Sequence, residues 1–340
     1  MLDIIYNDGK LSYQNININF SLLKDKKVLI TGATGLIGLH ILSILKTAQL
    51  DYNIKIFCWV TGPIDPKISP IFNNCELLVG DLTNINQDIE TNFNKHFDLI
   101  IHSAGYAQPQ KFIGNKVNTI QLNTSAIIDL FKLLKDKGTF VFCSTSEIYS
   151  GLIKENIFEQ EIGTTTPEHP RACYIESKRC GETICHSFAE RGYSVKIARI
   201  SLAYGPGARA NDTRVMQNII DKAIKENKIE LLDSGSSIRT YCYAADIAEM
   251  LWNISLLGKK TVYNIAGMSR ITIKELAEKV ANKLNCELII PADDKFSLSG
   301  NPSLVNLNIE KYMIEFNKKN FTNFEDGLDK TIQWQKYILK

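Results

Sequence analysis

Short apolar runs, punctuated by small and polar residues, set the texture of this chain. Lys27–Thr31, residues 54–59, Glu76–Val79 and Phe97–His102 each read as a buried strand, because an apolar-rich run stops at or near a glycine or serine. Residues 140–143 give a fifth strand and 195–200 a sixth. Helical patterns lie between them: an apolar helix from Gly32 to about residue 45, a long one over 115–137 enclosing Asn123, and one that starts near Tyr174. Asn is a weak helix-interior residue, so Asn123 either faces solvent or bonds something specific. Alternating strands and helices predict an α/β fold with a doubly wound parallel sheet. Ahead of the first strand, Ile16, Ile18, Phe20 and Leu22 alternate with Asn17, Asn19 and Ser21, the period of a short half-buried strand, and residues 1–25 carry no assigned role.

After Ser201 the texture changes. Tyr204-Gly205-Pro206-Gly207 breaks the chain, a helix spans about 214–227, Asp233-Ser234-Gly235-Ser236 turns, and Ile238–Tyr243 is a strand. Residues 241–257 rejoin the sheet and 261–266 add a strand. Residues 272–284 form an amphipathic helix, with Thr272 as N-cap and Glu275 completing a capping box, and a last helix starts at Phe324.

The turn after the first strand is Gly32-Ala33-Thr34-Gly35-Leu36-Ile37-Gly38. Strand, glycine turn and helix follow in the order a dinucleotide site requires. The first two glycines permit a tight turn and close approach of the backbone at Thr34, Leu36 and Ile37 to a pyrophosphate, and Gly38 lets helix and strand pack closely. The second strand ends in Cys58-Trp59-Val60-Thr61, without the acid that usually meets the adenosine ribose. No Arg or Lys lies between Phe57 and Pro66 to meet a 2′-phosphate, so NAD is expected in preference to NADP. Asp81, followed by Leu82, either meets the adenine amine or caps the next segment. Ser103, Ala104 and Gly105 are small enough for a cofactor to lie close over the sheet edge. The expected division is an NAD-binding Rossmann domain of 1–203 with 238–266, and a smaller interleaved lobe of 204–237 with 267–340, substrate lying in the cleft between them.

Composition narrows the class. In 340 residues, 39 basic side chains face 37 acidic ones, leaving no charge excess to suggest nucleic acid or an anionic membrane as partner. Eight cysteines form no C-x-x-C pair and have no histidine at zinc-finger spacing. They read as reduced, mostly buried thiols, and no metal site is expected. The first twenty residues lack a basic start and apolar run, and no stretch reaches membrane-spanning length, so a cytoplasmic location is expected.

The candidate chemistry centres on Pro170-Arg171-Ala172-Cys173-Tyr174-Ile175-Glu176-Ser177-Lys178-Arg179. Tyr174 and Lys178 share one helical face. A fixed ammonium there should lower the phenol below its usual value of about 10 and make Tyr174 a general base. Alone, such a pair is common on helix surfaces. Residues Ser144-Thr145-Ser146-Glu147 add to it, at the C-terminal end of the fifth strand, where parallel sheets place their sites.

With Gly32-x-x-Gly35-x-x-Gly38, Asn123, Thr145 and Tyr174-x-x-x-Lys178 in order, the chain resembles an extended short-chain dehydrogenase/reductase of the NAD-dependent nucleotide-sugar epimerase/dehydratase type, over about residues 26–336. The resemblance implies that Tyr174 and Lys178 are the acid/base pair, that Thr145 bonds a sugar hydroxyl, and that Asn123 supports the lysine. It implies NAD across the sheet, a nucleotide sugar in the C-terminal lobe, and a homodimer through the 115–137 helix and the Tyr174 helix. Ser144-Thr145-Ser146-Glu147-Ile148-Tyr149, Pro170-Arg171-Ala172-Cys173-Tyr174 and Asn211-Asp212-x-Arg214-Val215 are similar to UDP-glucuronate decarboxylases (UDP-xylose synthases), which marks Asn211 and Arg214 as substrate contacts. Leu202, Ser177 and Thr213 depart from that pattern, and Leu202 replaces an Asn that binds the phosphate region.

By that likeness Tyr174 takes the proton of a sugar 4-hydroxyl held by Thr145 while the C4 hydride passes to the nicotinamide. The resulting ketone acidifies C5–H and destabilises a C6 carboxylate. Glu147 is the candidate base or gate near C5, and Arg239 the candidate partner of a pyrophosphate or substrate carboxylate. Decarboxylation, 4- or 5-epimerisation and 4-dehydrogenation stay open as exits for precursors of surface polysaccharides. A 4,6-dehydratase ranks lower because Ser146 stands where an acid should be, and a catalytically silent dinucleotide-sensing regulator is the reading from another class.

Overall fold

The computed structural model describes residues 1–15, 19–85, 92–291 and 306–340. Its twelve named strands, β1 to β12, are Lys27–Thr31, Lys55–Val60, Glu76–Val79, Phe97–His102, Leu134–Thr145, Ser194–Ile200, Leu202–Tyr204, Lys228–Glu230, Ile238–Tyr243, Val262–Ile265, Ser269–Thr272 and Glu287–Ile289. Its named helices, α1 to α11, are Leu2–Asn15, Leu36–Asp51, Pro109–Gly114, Lys116–Asn123, Ser125–Leu133, Ala172–Glu190, Val215–Glu226, Ala244–Leu257, Ile273–Leu284, Glu310–Phe316 and Phe324–Ile338.

Seven strands form one parallel sheet in the order β10-β6-β5-β4-β1-β2-β3, the doubly wound α/β architecture expected of the pattern. Burial on both faces explains why its central strands are apolar throughout: Val28, Leu29, Ile30, Ile100, Ile101, Phe140 and Val141 are fully enclosed. The order reverses between β1 and β4, so the crevice at their C-terminal ends is the switch point of the sheet. Strand β9 pairs instead with β7 and β11 in a three-stranded sheet, and β8 with β12 in a small parallel pair. Helix α9 carries the expected capping box, Thr272 Oγ1 accepting the Glu275 N–H at 3.0 Å and Glu275 Oε2 accepting the Thr272 N–H at 2.8 Å.

Two expectations are corrected. The half-buried strand read over 16–22 is a 3₁₀ turn at Phe20–Leu23, and positions 16 to 18 lie outside the described residues. Before it stands helix α1, which has no strong apolar stripe and survives through tertiary contacts. Gly9 lets it lie so close to α2 that a Cβ there would fall 2.0 Å from Ser43 Oγ, and Ser43 donates to the Ile5 carbonyl at 2.7 Å. Buried Asp8 accepts from the Tyr243 hydroxyl at 2.5 Å and from Lys330 Nζ at 2.6 Å, which joins α1 to strand β9 and helix α11. The long helix read over 115–137 is two helices broken at Thr124, whose backbone (φ −132°, ψ −83°) is not helical, and from Leu134 the chain already belongs to β5. Asn123 is therefore the last residue of α4 rather than its interior.

Candidate active site

The crevice is shaped by what a side chain cannot occupy. Gly32 has φ +71°, and a Cβ on it would fall 2.6 Å from the Ala104 nitrogen and 2.7 Å from the Ser103 carbonyl carbon. One on Gly38 would fall 2.2 Å from the Gly32 oxygen, so α2 seats directly on the turn. Gly35 is the N-cap of α2 and brings no side chain to its first-turn amides, among them those of Leu36 and Ile37. Backbone donors without covering side chains are what a dinucleotide pyrophosphate needs, so these residues fit NAD.

Thr31 locks the two loops together. Its carbonyl accepts from Ser103 Oγ at 2.7 Å, and its hydroxyl accepts the Ala104 N–H at 3.3 Å while lying 2.8 Å from His102 Nδ1. His102 Nε2 donates to the Leu122 carbonyl at 2.9 Å, and burial, with Lys178 nearby, holds the ring down to about 4, so it stays neutral. On the adenosine side Asp81 is exposed and its Oδ1 accepts the Thr83 N–H at 2.9 Å, the local capping role allowed by the sequence. Leu82 is buried in the cluster that holds Phe57 and Trp59.

Tyr174 enters from the first turn of α6, stacked on Phe112 with ring centroids 4.7 Å apart and planes within 6°. Thr145 comes from the end of β5, its Oγ1 capping the next turn by accepting the Glu147 N–H at 3.2 Å and lying in hydrogen-bond contact with the phenol. Burial dominates and raises Tyr174 to about 12; Thr145, Arg171 and Arg214 oppose this, while Glu147 adds to it. The lowering expected from Lys178 is not seen. The ammonium is turned away to the Cys143 carbonyl at 2.7 Å and lies 4.5 Å from the centre of the Phe142 ring, against 5.9 Å for Tyr174. Burial holds Lys178 itself down to about 8.

Asn123 bonds something specific, its Nδ2 donating to Ser177 Oγ at 2.9 Å while that hydroxyl donates to the Tyr174 carbonyl at 3.1 Å. Its support therefore runs through the backbone of the turn that carries Tyr174. Glu147 forms an ion pair with Arg171 at 2.6 Å, both side chains largely buried, and its second oxygen has no hydrogen-bond partner among the described residues. Burial raises its pKa, against the pull of Arg171, His169 and Arg239. Ser146 is buried beside it. Arg214 reaches Tyr174 electrostatically while its side chain is bound by three contacts to Asp212, at 2.6, 3.0 and 3.1 Å; Asn211 is exposed and makes no described contact with this cluster. Arg171 was missed by the reading from sequence, although it stands three residues before Tyr174 in the run that carries the resemblance.

Residues 28–266 match the model of the NAD dependent epimerase/dehydratase family. The chain belongs to that family. UDP-glucuronic acid decarboxylase 1 of Danio rerio is 28% identical over 326 residues, covering 93% of this chain and 74% of its own length. The UDP-glucose 4-epimerase of Thermotoga maritima superposes with a TM-score of 0.78 at 18% identity, over 92% of this chain and 100% of that one. MoeE5 in complex with UDP-glucuronic acid and NAD does so at 0.74 and 19%, over 92% and 99%. These two structures share the fold.

As an NAD-dependent epimerase/dehydratase, the protein is an enzyme, and its buried Lys178 is held at a cost in stability. Moving Lys178 from its ordinary 10.5 to about 8 costs the folded, ligand-free protein on the order of 3 kcal/mol below pH 8, partly offset by the bond to Cys143. Both folded and unfolded chains are protonated there, so the penalty is complete; it fades between pH 8 and 10.5 and is gone above. Lys178→Met should abolish turnover yet raise the melting temperature by a few degrees at pH 7, with the gain vanishing near pH 10.5. A lower melting temperature for the variant at pH 7 would show that the carbonyl bond outweighs burial.

Proposed function

We propose that this enzyme oxidises a nucleotide-linked sugar at C4 and releases carbon dioxide from a uronate, the second step being the one that the names of its UDP-glucuronic acid decarboxylase relatives carry. The observation that carries the reading is Arg239. Glu147 neutralises Arg171 and Asp212 neutralises Arg214, but among the described residues no carboxylate pairs with Arg239, whose Nη1 donates only to the Ile238 carbonyl at 2.9 Å. Burial lowers its pKa, so this cation is partly desolvated beside Glu147 and Arg171. A desolvated, unmatched guanidinium favours an anionic group, a substrate carboxylate or pyrophosphate.

NAD, when bound, accepts and returns a hydride. Thr145 orients the 4-hydroxyl, and Tyr174 Oη takes its proton and later returns one. Lys178, held near 8 by burial, stands one helical turn beyond Tyr174 as the neighbouring cation. The unpartnered oxygen of Glu147 suits the C5 side as base or gate. Leu202, half-buried where an Asn would meet phosphate, favours the second reading, epimerisation or oxidation of another nucleotide sugar without loss of mass.

The test is incubation with a panel of nucleotide sugars, following product mass and bound-cofactor absorbance. Loss of carbon dioxide from UDP-glucuronate is expected; conversion without mass loss moves the reading to epimerisation, and no conversion across the panel defeats both. The exposed apolar side chains Ile113, Val117, Ile120 and Ile128, on the helices before β5, support the homodimer reading, which sedimentation would test. No helix among the described residues is long and apolar enough to cross a membrane.

A further inference from the structure

The glycine turn and the helix it opens bring no cation to the cofactor. From Gly32 to Leu45 there is no Lys or Arg, and the one basic side chain, His40, is buried with its pKa lowered by that burial. The cation comes from elsewhere in the chain. Arg209 Nη2 donates to Thr34 Oγ1 at 3.1 Å, inside the turn, across 175 positions of sequence. Its guanidinium is exposed, and among the described residues no carboxylate pairs with it.

The segment that carries Arg209 is built to hold it there. His40 Nε2 donates to the Pro206 carbonyl at 2.9 Å and Trp334 Nε1 to the Ala208 carbonyl at 2.8 Å. Gly207, at φ +103°, lies against α2, a Cβ there falling 3.1 Å from Leu39 Cδ1. The Asp212 N–H closes the turn onto the Arg209 carbonyl at 3.1 Å, and Asp212 then grips Arg214. The loop is thus fastened both to the helix that begins at the glycine turn and to the C-terminal helix α11.

We propose that Arg209 is a cofactor-binding residue, a guanidinium supplied by the 205–214 loop that pairs with the pyrophosphate of NAD over the glycine turn. The loop then touches the cofactor at Arg209 and the Tyr174 cluster at Arg214.

The test is calorimetric titration of the full chain, freed of nucleotide, with NAD⁺, ADP-ribose and NADP⁺. An exposed charge-assisted bond is worth about a tenfold change in affinity. Arg209→Ala should therefore weaken all three ligands by about that factor, because they share the pyrophosphate, and Arg209→Lys should restore most of it. The ligand-free melting temperature should not move, since Arg209 is exposed. The difference between wild type and variant should shrink as salt is raised. Unchanged affinity for NAD⁺ and ADP-ribose would overturn the proposal. So would a loss confined to NADP⁺, which would assign Arg209 to a 2′-phosphate, or a fall in ligand-free melting temperature that accounts for the weaker binding. None of these readouts depends on which sugar the enzyme turns over.

Discussion

Replacing Tyr174 with Phe is expected to cut turnover by about 10²–10⁴-fold while leaving the affinities for NAD⁺ and for the sugar nucleotide nearly unchanged. The ring is held by its stack on Phe112, which the variant keeps, and only the hydroxyl is removed. Thr145 does not become an orphan, since its Oγ1 still accepts the Glu147 N–H. The loss should therefore fall on kcat rather than on KM. In the ligand-free protein burial holds the phenol at about 12, so the proton is on Tyr174 at neutral pH and the variant lacks both the donor and the acceptor. Turnover within tenfold of wild type would remove Tyr174 from the proton-transfer step. A matching loss of NAD⁺ affinity would show instead that the hydroxyl serves binding.

The parts of this site that could be read from sequence are those enforced by steric need or by fixed spacing. Gly32 and Gly38 are written into the chain because a Cβ at either position would collide with backbone. Thr145 and Tyr174 could be brought together in thought because a strand end and a helix start share the same edge of the sheet. What escaped was set by backbone and by distance. The acceptor for Lys178 is the carbonyl of Cys143, which no side-chain pattern reveals, and that contact turned the ammonium away from the phenol. Arg209 and Thr34 meet through a fold that sequence spacing does not report.

The same contrast holds for the scaffold. Strand β1 and the helix after it follow from apolar-rich runs, whereas α1 contains a glycine and a buried aspartate that become favourable only against Ser43, Tyr243 and Lys330. The break at Thr124 could not be foreseen from apolar periodicity, which continues across it. The short strands β7, β8, β11 and β12 have three or four residues each, too few for an alternating pattern to register.

The second large effect is expected at Glu182. Its carboxylate accepts Arg199 Nη2 at 2.7 Å and Nε at 3.1 Å, and the Ser144 hydroxyl at 2.5 Å. Arg199 also donates to the Tyr149 hydroxyl at 2.8 Å and the Glu159 carbonyl at 2.7 Å, and Tyr149 donates to Asn264 at 2.7 Å. Helix α6, the end of β5, β6 and β10 thus meet in one buried network, with Ser144 directly before Thr145. Glu182→Ala leaves the Arg199 guanidinium buried without its counter-charge, a loss of about 3–5 kcal/mol in stability. Glu182→Gln keeps the shape and one acceptor and should lose less. Because the penalty belongs to the stranded charge, Glu182→Ala combined with Arg199→Ala should lose less than the sum of the two single changes. Thermal unfolding of the four proteins measures this coupling directly. Additive losses would mean that Arg199 is satisfied by Tyr149 and Glu159 alone, and that α6 is tied to the end of β5 by packing rather than by charge.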